Sequence, residues 1–149
     1  MQNLFDLPTR QALLERLDRL RSDSPRQWGK MDAGQMLAHC ATALEMSTGD
    51  QPRKQKLIGR LLGPLVRKKL LGEAPFPRNS PTDPAFVYTD ARDFAAEKAR
   101  LQAVIERFAA RGPERAAEAT HSFLGRLDGE EWGCMMAKHL DHHLRQFGL

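Results

Sequence analysis

The stretch HLDHHLRQ, residues 139–146, sets His139, His142 and His143 within one and a half helical turns near the end of the chain. Imidazole is the side chain that offers a neutral nitrogen lone pair at physiological pH, so it serves as proton carrier and as metal ligand. The surrounding residues Trp132, Met135, Met136, Leu140, Leu144 and Phe147 recur at helical spacing and form one apolar stripe. His139 and His143 lie on that stripe, one turn apart, and His142 lies nearer its edge. Two imidazoles at i, i+4 can share one ion, as in the HExxH helix. Here Leu140 stands where that motif carries glutamate, so a zinc peptidase is not supported.

A third imidazole changes the weight of this pair. His39 sits mid-way along an earlier helical segment, among Met36, Ala43 and Met46 at helical spacing. It also faces inward. The competing reading is a set of core histidines, each hydrogen-bonded to a carbonyl or carboxylate. Three inward histidines from two helices favour a metal instead, because bundle metal sites draw ligands from facing helices. His142 and His121 are further candidates; for His121, in THSFLG, a loop or capping role competes.

Three neutral imidazoles leave the charge of a metal uncompensated and a coordination position open, which is a catalytic rather than a structural arrangement. The open position suits water, for hydrolysis, or a thiol, for transfer. Imidazole ligands alone do not choose the metal.

Around these residues the apolar period is helical almost throughout. One helix is expected from about Pro8 to Arg21, with Leu13, Leu14, Leu17 and Leu20 as its stripe. A second starts after Asp32, with Gln35 completing a capping box, and stops near Ser47, before TGDQP. A third spans about Ala91 to Arg111 and ends at Gly112-Pro113. The last is capped by Asp128 and Glu131. The connection between the second and third holds a basic segment, expected as short helix broken near Pro64. Pro75, Pro77, Pro81 and Pro84 then mark an irregular loop over residues 72–90. Residues 113–127 are expected to hold no more than a turn of helix, and no segment alternates as a strand. The reading is an all-α bundle of four long helices with one long crossover, a single domain over residues 1–149.

WGKMDAGQMLAHC around His39 and HSFLGRLDGEEWGCMMAKHLDHHLRQFG at the C-terminus resemble the DinB/YfiT-like superfamily, and within it a bacterial branch of uncharacterised domains. PFPRNSPTDP matches in character, so the resemblance covers nearly the whole chain. It implies a four-helix bundle of up-down-down-up order. It also implies a divalent metal, most often zinc or nickel, on His39, His139 and His143. Several relatives transfer low-molecular-weight thiols. The functional expectation is therefore a metal-dependent enzyme acting on a small molecule, by thiol transfer or by hydrolysis with a metal-activated water. The alternative is a non-catalytic metal- or ligand-binding stress-response module of the same fold.

Bulk properties narrow the rest. Hydrophobic residues make up 41% and charged residues 28%, ordinary for a globular chain. The net charge of +4 does not by itself indicate nucleic acid, and no partner of that kind is expected. The N-terminal MQNLFDLPTRQ lacks a basic start with an apolar run, and no apolar stretch approaches membrane-spanning length, so no membrane partner is expected. Cys40 and Cys134 form no CxxC pair, which fits a reducing cytoplasm. No nucleophile elbow, Walker loop or dinucleotide fingerprint is present. Residues 53–69 carry seven cations and no acid. The expected state is a solvated helix face; the sharper one is an anion-binding lip of Arg60, Arg67 and Lys68, and the third is loose contact with anionic lipid or nucleic acid. Association into a homodimer is left open.

Overall fold

The computed structural model describes residues 2–50 and 52–149. Gln51, within the expected TGDQP break, and Met1, at the head of the N-terminal stretch, lie outside them. The fold is all-α, with helices α1 (Leu7–Arg19), α2 (Ala33–Ser47), α3 (Leu57–Leu71), α4 (Phe94–Ala116) and α5 (Gly129–Gln146). A 3-10 turn, Pro84–Phe86, interrupts the loop after α3. A two-stranded antiparallel hairpin, β1 (Thr120–His121) and β2 (Gly125–Arg126), precedes α5. None of these helices is long and apolar enough to cross a membrane.

The expected caps set the two helices that matter most. Asp32 accepts from the Gln35 amide while the Gln35 side chain accepts from Asp32, and Asp128 and Glu131 repeat the pattern on α5. Each box satisfies helix-end N–H groups that would otherwise lack partners, fixing where the helix starts and therefore which way every later side chain points.

α2 is the central element. Every residue in it but Gln35 is buried, and it packs against both α4 and α5. α1 leans on α5 through Leu13 and Leu17, and Leu101, Val104, Ile105 and Phe108 close the core from α4. The acids that this packing buries are paired. Arg100 of α4 donates to both oxygens of Glu45 at 2.6 and 2.8 Å and to Glu97 at 2.9 Å. Arg92 also binds Glu97. An uncompensated carboxylate in this layer would be expensive, so the network is a condition of the packing rather than decoration.

Three local expectations are corrected. α3 is one continuous helix through Pro64. The N–H that Pro64 lacks would have met the Arg60 carbonyl, and both residues sit at the surface, where water can serve that carbonyl instead. α4 begins at Phe94, not near Ala91; its first helix ends at Gly112 as expected, where φ 79° and ψ 170° break the helical path, and Pro113–Ala116 is the short helical turn beyond it. Residues 120–126, read as at most a helical turn, form the hairpin. Its strands of two residues each are too short to show an alternation in sequence.

Candidate metal centre

His39 arrives from the middle of α2, and His139 and His143 from consecutive turns of α5. The ring centroids stand 5.0 Å apart for His39–His139 and 4.7 Å apart for each of the other two pairs. One ligating nitrogen from each ring lies within 4.8 Å of the others. His39 and His143 are buried and His139 is half-buried.

Two of the rings are held by specific acceptors. The Nδ1 of His39 lies 2.9 Å from the carbonyl oxygen of Phe86, in the 3-10 turn. A carbonyl only accepts, so Nδ1 carries the proton and Nε2 keeps its lone pair. For His143 the same result is reached in two steps. The Gln146 amide nitrogen donates to the Trp28 carbonyl at 2.9 Å, which leaves its oxygen facing Nδ1 of His143 at 2.9 Å. That oxygen also only accepts, so the His143 proton is on Nδ1 and Nε2 is free. Outer partners of this kind fix tautomer and ring orientation at metal sites. His139 differs. Its Nδ1 is buried with no hydrogen-bond partner among the described residues, and its Nε2 lies 3.0 Å from Nε2 of His39. A cation between the rings would engage the facing Nε2 lone pairs, and Nδ1 of His139 would then carry the proton, still without a partner among the described residues.

The electrostatics agree. Burial holds all three pKa values below the ordinary imidazole value, that of His143 down to about 3, and the nearness of the other rings of the triad adds to the effect at His139 and His143. No carboxylate belongs to the cluster. These rings stay neutral, so they offer lone pairs and no charge. That donor set fits a divalent, imidazole-accepting metal such as zinc, nickel, iron or copper.

His142 takes another position. Its ring is 5.1 Å from that of His143 and sits between Trp28 and Phe76, at 5.7 and 5.9 Å. It lines a cleft of about 460 Å³ together with Trp28, Phe76, Arg78, Lys138, Asp141 and Arg145. The cleft's cations are thus Arg78, Lys138 and Arg145. Arg60, Arg67 and Lys68 are not among its lining residues. Arg67 instead clasps Glu131 at the start of α5, at 2.5 and 2.6 Å. Their basic sequence neighbourhood could not reveal that α3 turns them elsewhere. His121 serves its own loop: its Nδ1 accepts from the amides of Phe123 and Leu124 at 3.0 and 3.1 Å. Cys40 and Cys134 are free and buried.

By sequence, Gln146 reads more readily as a surface or capping side chain than as a residue that orients a ligand. It is buried, and its partner Trp28 comes from a loop 118 positions away. The only signal was its spacing, three residues after His143. Gly29 makes room for it: at φ 79°, a Cβ on Gly29 would stand 2.3 Å from the Gln146 amide nitrogen. Both Gln146→Leu and Gly29→Ala are therefore expected to weaken metal affinity by about 10- to 100-fold without removing a ligand. Competition titration against a chromogenic chelator measures this, and unchanged affinity in both variants would deny Gln146 the orienting role.

Residues 2–148 match the family described as a protein of unknown function, DUF1569. The chain belongs to this family. Comparisons with curated proteins and with solved structures gave no match. In this DUF1569 chain, the features that bear on function are the three-histidine cluster and the cleft beside it.

Proposed function

We propose that this DUF1569 chain is a metal-dependent enzyme of the DinB-like kind, acting on a small anionic molecule by thiol transfer or by hydrolysis. The observation that carries the reading is the triad itself: three neutral imidazoles, two with their protons pinned outward by Phe86 and Gln146, and no carboxylate among them. A bound divalent cation would supply Lewis acidity, lowering the pKa of a coordinated water or thiol.

The chain's own residues supply binding and proton handling. Trp28 and Phe76 give the cleft apolar walls, and Arg78 and Lys138 each lie 4.5 Å over one of those rings. This supports a substrate with an apolar or planar body and a carboxylate or phosphate. Lys138 is also held by the carbonyls of Leu70 and Gly72, at 3.0 and 2.8 Å, which fixes its position. His142 bridges the cleft and the triad. Burial lowers its pKa, so it is neutral near pH 7 and able to take a proton from an incoming nucleophile. The two free, buried cysteines fit a reducing cytoplasm.

The test is a panel of low-molecular-weight thiols paired with electrophiles, run beside a panel of hydrolysable esters and amides, at matched metal loading. Turnover is expected in one panel. It should fall sharply in His142→Ala while metal content is kept, and Arg78→Ala should raise KM more than it lowers kcat. Metal-loaded protein that binds anionic ligands yet turns over nothing in either panel would assign the chain to the non-catalytic binding class.

A further inference from the structure

α3 is packed inside out. A surface helix normally buries its leucines, but the only fully buried residues of α3 are Gly59 and Gly63. They face the hairpin so closely that a Cβ on Gly59 would lie 2.3 Å from the Phe123 carbonyl oxygen. Val66, Leu70 and Leu71 pack partly against the core, but the first two-thirds of the helix turn their large residues the other way. Leu57, Leu61 and Leu65 are 81%, 76% and 78% exposed, and Ile58 and Leu62 extend the same surface. At ~100° per residue these five occupy one arc of about 140°. Lys54 precedes this apolar arc, Lys68 and Lys69 close it in the last turn, and Arg60 flanks it. None of these four cations has an ion-pair partner among the described residues.

We propose that α3 is an interfacial anchor that lays this face on an anionic lipid surface. A contiguous aliphatic patch in water calls for a cover. A second copy is a poor one. Parallel or antiparallel pairing of α3 with itself sets Lys54, Lys68 and Lys69 against like charges, because no acid lies anywhere between residues 53 and 69. The occupant must be anionic. The face is a protruding helix of aliphatic side chains and lysines, without the aromatic anchors and shaped polar groups by which protein interfaces are read. Leucines entering the acyl boundary, with lysine stems reaching up to phosphates, need no such shape. This departs from the expectation of no membrane partner, which rested on the lack of a membrane-spanning apolar stretch, and sharpens the third reading of residues 53–69, loose contact with anionic lipid.

Flotation of the full-length chain with vesicles provides the test. Binding is expected with phosphatidylcholine vesicles containing about one-third phosphatidylglycerol, not with phosphatidylcholine alone, and should weaken from about 0.05 to about 0.5 M salt. Leu61→Gln with Leu65→Gln, and separately Lys68→Gln with Lys69→Gln, should each cut binding at least about tenfold. These side chains are exposed, so melting temperature and metal content serve as controls and should hold. No binding to the anionic vesicles at low salt would overturn the proposal. So would loss only in the lysine variant, which marks plain charge adhesion. A concentration-dependent dimer abolished by the leucine variant would give the face to self-association instead.

Discussion

His143→Ala is expected to lower divalent-metal affinity by a hundredfold to a thousandfold, on the order of one ligand's share of a three-imidazole site. His39→Ala should do the same. His142→Ala, although adjacent in sequence, should change affinity by less than about tenfold, because its ring stands in the cleft wall and not in the triad. The contrast decides between a metal centre and a stack of structural imidazoles. Structural histidines would lose stability when truncated, since the Phe86 carbonyl or the Gln146 amide would lose its partner. Ligands lose the same hydrogen bonds, so their truncation costs similar stability in chelator, and what sets them apart is the metal released and the metal-induced stabilisation lost with it. Metal analysis after gel filtration, with thermal unfolding in chelator and with metal, separates the two. If His142→Ala loses metal while His143→Ala keeps it, the ligand assignment is overturned.

The convergence of His39, His139 and His143 was legible because i, i+4 spacing on a capped helix leaves little freedom. Once Asp128 and Glu131 fix the start of α5, the direction of His139 and His143 follows, and the Asp32–Gln35 box does the same for His39. What the sequence hid was whatever depends on chain segments meeting at a distance. The acceptor for His39 is the backbone of Phe86, and a carbonyl has no side-chain signature. The acceptor for His143 needs Gln146, Trp28 and a glycine at 29 together. The outward face of α3 was hidden for another reason. A helical wheel shows that leucines share a face but not which way the face points, and here Gly59 and Gly63 win the inner side because the hairpin backbone comes too close for anything larger. By sequence, the cations on this helix read as a solvated face or an anion-binding lip, and Arg60, Arg67 and Lys68 are not among the residues that line the cleft beside the triad.

Acid should unfold the metal-free protein far more readily than the metal-loaded one. In an unfolded chain each histidine titrates near 6.5. In the fold, burial lowers the pKa of His39 and His139, and that of His143 to about 3. Between those limits the unfolded state binds more protons than the native state, so native stability is present above about pH 6.5 and drains away as pH falls. With three such groups the slope reaches at most about 4 kcal/mol per pH unit, a large share of a domain's total stability. His121, lowered to about 4 and locked by two backbone amides, adds to the slope in both forms. A saturating metal changes the competition: protons must displace it before they reach the triad, so its binding energy is added to the native side. Far-ultraviolet dichroism followed from pH 7 to pH 3, in chelator and in excess zinc, should therefore give midpoints separated by a pH unit or more. Coincident midpoints would mean that the three imidazoles hold no metal in solution, and their neutrality would then serve packing alone.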